Sequence, residues 1–143
     1  SIPNALNQIF DCYKPISMTE FSEKIAILPN GQVKYLTDKY DAITNTLGLK
    51  VTIRVSDFKA IEAAILKNKS YTELDKLAEL ARKNYPKSML ADYELGLMYE
   101  KNGDTKKAAK AYQKASQFDE IGDLSKDMML EKFDEMQSLT PKK

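Results

Sequence analysis

Apolar positions recur along this chain at the spacing of one helix face after another. Leu6, Ile9, Phe10 and Tyr13 open the pattern and predict an amphipathic helix over residues 3–13. Pro15 stops it, because proline has no amide to continue the ladder. A short helix is expected over 18–26, and "LPNGQ" at 28–32 reads as a turn. Val33, Leu36, Tyr40, Ile43 and Leu47 then share one stripe, closed by Gly48 as a C-cap. "KVTIRV" at 50–55 alternates like a strand, yet the rest of the chain offers it no partner strand. A lone strand is unstable in water, so the stretch is expected to be an extended connection.

The second half continues in the same period. Ser56 is the expected cap of a helix that buries Phe58, Ile61 and Ile65. Ser70 and Glu73 have the spacing of a capping box, opening a helix to Asn84 with Leu74, Leu77, Ala78 and Ala81 inward. Tyr85-Pro86 ends that helix. Two more are predicted over 89–101 and 105–118, and a last one over 124–138 with Met129, Phe133 and Met136 on its apolar face. The tail "TPKK" is expected to fray. The sum is an all-α chain of seven or eight helices.

Composition narrows the function classes. The 143 residues suit one domain, or one domain with an appendage, and 43% apolar content is ordinary for a globular protein. Basic and acidic residues nearly balance, 22 against 21, and only Arg54 and Arg82 are arginine. Nucleic-acid binders carry a basic excess, so that class is disfavoured. Cys12 is the sole cysteine, which rules out an internal disulfide. The longest apolar runs, such as "IAIL" at 25–28, are far short of a membrane span. The chain opens "SIPNAL", without an initiator methionine or a signal peptide, and reads as cut from something longer or processed.

The stretch "DYELGLMYEKNGDTKKAAKAYQKA" at 92–115 resembles a tetratricopeptide repeat. Leu95-Gly96, Tyr99, Gly103-Asp104, Ala108, Tyr112 and Ala115 stand at the motif's positions. Gly96 and Ala108 are expected where two antiparallel helices come closest, with Leu95, Tyr99 and Tyr112 filling the wedge. Gly103-Asp104 makes the turn, and Asp104 or Thr105 caps the second helix. Asp92 departs from the motif's tryptophan and Glu120 from its closing proline. Upstream, Tyr71, Ala81 and Pro86 trace a degenerate repeat over 55–88, although Glu62 stands where a small residue is expected. The expected organisation is an appendage and linker over 1–30, then a repeat-like domain over 31–143. Its best repeat is 89–122, and the helix at 124–138 caps the open end.

The order of "IPNALNQIF", "LTDKYDAITNTLGLKV" and the repeat-like tail resembles the C-terminal part of esterases from gut Bacteroidetes. These belong to the α/β-hydrolase superfamily. The resemblance implies a hydrolase domain ahead of this chain, with its triad histidine just before "SIPNAL", and export to the periplasm. Residues 2–13 would then be the last helix of the hydrolase fold. This chain contains neither histidine nor a Gly-x-Ser-x-Gly motif, so no catalytic residue carries over.

Triad chemistry needs a base, and histidine is absent, so an enzyme acting alone is disfavoured. The "FDE" runs at 118–120 and 133–135 read as solvated helix faces. One cysteine, no histidine and no aspartate-rich loop leave no metal-site signature and imply no cofactor. Cys12, Met128, Met129 and Met136 read as packing residues, and Lys106, Lys107 and Lys110 as a wet outer face. The remaining candidate is a partner-binding groove on the first helix of the good repeat, lined by Leu90, Tyr93, Leu97, Glu100 and Lys101. Coverage of that groove by the terminal helix or a hydrolase domain is the competing expectation.

The leading expectation is a non-catalytic accessory module packed beside its own hydrolase domain or mediating association. The alternative is a free-standing adaptor that binds a peptide of a partner protein. An accessory module should leave Leu6, Ile9 and Phe10 partly exposed, or cover them in a homodimer through the first helix.

Overall fold

The computed structural model describes residues 14–140, so the expected helix over 3–13, with Leu6, Ile9, Phe10 and Cys12, lies outside the described residues. Among the described residues the structure is all-α, with no ladder of strands. The chain divides between Lys69 and Ser70 into two compact units. That boundary differs from the expected one at 30–31. It also places the two halves of the degenerate repeat over 55–88 in different units.

In the first unit, Ser17 Oγ accepts from the Glu20 amide and starts α1 (Met18–Glu20). The helix runs straight into a π-helical turn, Phe21–Ile25, closed by the Ala26 amide on the Phe21 carbonyl at 2.7 Å. The turn buries Ile25 completely. Next comes α2 (Gln32–Leu47), between Gly31 at φ 80° and Gly48 at φ 72°. Gly48 is the expected C-cap, its amide reaching the Thr44 carbonyl at 2.8 Å. Val33, Leu36, Tyr40 and Ile43 of the predicted stripe are buried.

Residues 50–54 belong to no helix and no strand ladder, and Arg54 at their end is extended at φ −67° and ψ 142°. The next helix, α3 (Val55–Asn68), is capped by Arg54 and not by Ser56. The Asp57 and Phe58 amides both turn back to the Arg54 carbonyl at 3.1 Å, which places Ser56 inside the first turn, where its hydroxyl is exposed. Phe58, Ile61, Ala64 and Ile65 pack toward α2 and the π turn. Asn68 closes the far end by donating to the carbonyls of Ala26 and Leu28 at 2.6 and 2.8 Å. This helix therefore spends its apolar face within the first unit.

Lys69 ends α3 in the left-handed region at φ 56°. A side chain there costs free energy that glycine avoids. Lys69→Gly should raise stability by roughly 0.5–1 kcal/mol, after the extra flexibility of glycine in the unfolded chain is subtracted. Urea unfolding monitored by circular dichroism measures it.

The second unit stacks α4 (Glu73–Asn84), α5 (Leu90–Lys101), α6 (Thr105–Ala115) and α7 (Lys126–Leu139). Each helix packs on its sequence neighbour: α5 on α4 and α6, and α6 on α7. The connections between α4, α5 and α6 are short, five and three residues, as antiparallel helix pairs require. The capping box at Ser70 and Glu73 does not form. Thr72 is already helical at φ −62° and ψ −23°, so it takes the cap position. Ser70 instead accepts the Glu73 amide through its carbonyl at 2.9 Å, and its hydroxyl is buried without a partner. Glu73 turns to Lys76 at 3.0 Å.

The α5–α6 turn matches the sequence expectation closely. Gly103 supplies φ 82°, and Asp104, not Thr105, is the cap, accepting the Lys107 amide at 3.1 Å. Helix α6 stops at Ala115, short of the expected residue 118. Beyond it the chain passes beside the loop that leads into α5. The Asp119 amide donates to the Lys87 carbonyl and the Met89 amide to the Asp119 carbonyl, both at 2.9 Å, forming a parallel bridge between Ser88 and Asp119. Ser125 then caps α7 by accepting from the Met128 amide at 3.2 Å.

Candidate functional site

The α5–α6 pair is built around one absent side chain. A Cβ placed on Gly96 would lie 2.5 Å from Cε1, 2.7 Å from Cδ1 and 2.8 Å from Cζ of Tyr112. Glycine therefore admits the ring of Tyr112 against the backbone of α5. Ala108 and Ala115, on the same face of α6, are wholly buried, and their size keeps the two helices close.

Tyr112 is the hub of this unit. Its hydroxyl donates to Glu100 Oε1 of α5 at 2.8 Å. Its ring tilts against Tyr93, with centroids 6.3 Å apart. Lys132 Nζ of α7 stands 5.3 Å from the ring centroid and 3.8 Å from Glu100 Oε1. One side chain thus ties α5, α6 and α7. Met129 and Met136 are buried on α7, as expected.

Of the five expected groove residues, Leu90, Tyr93 and Leu97 are 1%, 8% and 4% exposed. They do not line an open groove. Glu100 is engaged by Tyr112 and Lys132, and Lys101 alone is freely exposed. The physical reason is the position of α5 between two neighbours: it buries Leu90, Ala91, Asp92, Tyr93 and Glu94 in succession, which no one-sided helix does.

Two features were not anticipated. Asp92, 2% exposed, stands at the tryptophan position of the repeat motif and receives the guanidinium of Arg82 in two parallel contacts of 3.1 and 3.3 Å. Beside this pair, Asp75, Ala78, Glu79, Arg82, Lys83 and Leu95 line a cleft of about 310 Å³. A carboxylate in place of the motif's indole, ten residues after one of only two arginines, was the available signal.

In the first unit, Asp57 is 1% exposed. It accepts from the Ile16 amide at 2.9 Å and from the Tyr40 hydroxyl at 2.7 Å. Tyr40 in turn accepts from the Arg54 amide at 3.1 Å. Burial, reinforced by the Asp57 carboxylate, pushes the Tyr40 phenol up to about 12 despite the opposing bond from Arg54. Burial and Glu20 likewise raise Tyr35. On the carboxyl side, burial would raise Glu20, but bonds from Tyr35 and Lys39 outweigh it and hold the group below its ordinary value.

A tyrosine pKa raised by folding contributes stability that is complete below the unfolded value of 10.0. That stability is lost as pH climbs through the folded value. Absorbance titration should therefore show a late phase from Tyr35 and Tyr40, accompanied by loss of helicity. Tyr40→Phe should remove one late phenolate.

Among the described residues no group of three His, Cys, Asp or Glu side chains is placed to hold a metal ion. No helix among them is long and apolar enough to cross a membrane. Among the described residues both units are all-α, and the second is a helical stack held by an aromatic hub. Among solved structures, the chain is similar to an uncharacterised protein from Capnocytophaga ochracea, with 36% identity and a TM-score of 0.86. The match covers 93% of this chain and 37% of that one. No family model and no curated protein matches the chain.

Proposed function

We propose that this chain is a non-catalytic helical-repeat module of tetratricopeptide type, working beside a hydrolase domain of the serine-esterase kind. The observation that carries the accessory reading is the extent of the Capnocytophaga match. The matched part is the smaller share of that protein, which leaves room for at least one further domain. The seating of Tyr112 on Gly96 supports the repeat reading, since it makes the motif's small residue a packing requirement. The hydrolase reading rests on the order of segments from "IPNALNQIF" onward. The closed state of Leu90, Tyr93 and Leu97 weighs against a peptide adaptor that uses α5.

The test is the size and activity of the native protein. Immunoblotting of source cells with antibody to this chain should give a band larger by a domain of about 250 residues. That full-length protein should hydrolyse simple aryl esters, and the 143-residue chain should not. A band near 16.2 kDa, or a larger protein inert on esters, overturns the esterase assignment.

A further inference from the structure

The geometry points to a self-association surface in the second unit, where a basic stripe on α6 of one copy docks on an acidic stripe on α7 of another. This inference stands apart from the esterase reading. Lys106, Lys110 and Lys114 are exposed and succeed one another at four-residue steps along α6. Asp127, Glu131 and Glu135 are exposed and succeed one another at the same steps along α7. Residues four apart share a helix face, so each trio forms a line of like charge about 12 Å long.

Three observations favour a second copy as the occupant. The two stripes have matching length and step, so three lysines can meet three carboxylates along one pair of aligned helices. None of the six side chains has an ion-pair partner in its own chain among the described residues, whereas Lys34, Lys39, Lys107 and Lys132 do. The net charge of +1 leaves little overall repulsion between copies. Leu130, 38% exposed beside the acidic line, offers an apolar contact for the lysine stems. A contact of this kind is weak and sensitive to salt, since exposed charges are screened within about 10 Å at 0.1 M.

Sedimentation velocity of the 143-residue chain tests it. At high protein concentration and low salt the chain should associate, and association should weaken at least tenfold in 0.5 M salt, where screening is nearly complete. Reversing the basic line (K106E, K110E, K114E) should give monomers, as should reversing the acidic line (D127K, E131K, E135K). An equimolar mixture of the two reversed proteins should give a mixed complex. A control with the same net change, K67E with K83E and K87E, should still self-associate, because those lysines lie outside the stripe. Circular dichroism confirms that each variant stays helical. A monomer under all conditions, association surviving either reversal, or failure of the mixture to pair overturns the proposal. So does loss of association in the control.

Discussion

Asp57→Ala should destabilise the first unit by about 2–4 kcal/mol, the largest loss expected from removing one polar side chain in this protein. The carboxylate is out of water and satisfies two donors at once, the Ile16 amide and the Tyr40 hydroxyl. Its removal leaves a phenol proton in the interior with no acceptor, and a small void beside it. Tyr40→Phe alone should cost about 1–2 kcal/mol, because it removes the donor to Asp57 and the acceptor of the Arg54 amide. The pair should be non-additive: with the phenol already gone, Asp57→Ala should cost less than it does in the native chain. Urea denaturation by circular dichroism measures all three variants. A single-variant loss under about 0.5 kcal/mol would mean that the buried carboxylate is merely tolerated, as some buried ionic groups are.

Gly96→Ala should cost about 2 kcal/mol, against the sign expected from helix preference. In an exposed helix the same change gains about 1 kcal/mol. Here the new methyl would meet three ring atoms of Tyr112 at under 3 Å. The ring has little freedom to retreat. It is fully buried, its hydroxyl is bonded to Glu100, and Lys132 lies over its face. Either α5 and α6 separate or Tyr112 leaves its preferred rotamer, and overpacking of this kind costs roughly 1–3 kcal/mol. The diagnostic is the background. With Tyr112→Leu in place, Gly96→Ala should become neutral or stabilising, since the obstructing ring is gone. A destabilisation that persists in that background would locate the constraint elsewhere.

Much of this architecture was legible from periodicity alone. The stripe from Val33 to Ile43 and the faces of α4, α6 and α7 repeat every three to four residues, and burial drives such faces inward whatever their partners. The Gly96 contact was legible too, although its partner proved to be the Tyr112 ring more than the backbone near Ala108. The polar interior and the caps escaped. Asp57 has no local signature, because its partners lie 17 and 41 residues away in sequence. Ser56 and Ser70 have suitable cap chemistry, yet the helices begin where Arg54 and Thr72 let the backbone turn. The groove at Leu90, Tyr93 and Leu97 was misjudged for a related reason. Apolar residues on a motif's open face look available until the number of neighbours is known, and α5 has one on each side.

The parallel bridge between Ser88 and Asp119 bears on how such a chain can lengthen. It brings the entry and the exit of the α5–α6 pair side by side, about 5 Å apart and heading the same way. A segment whose two ends share position and direction can be duplicated in a gene without redirecting the downstream chain. The inserted copy hands the chain on along the course it already had, and only the outermost helix needs a new neighbour.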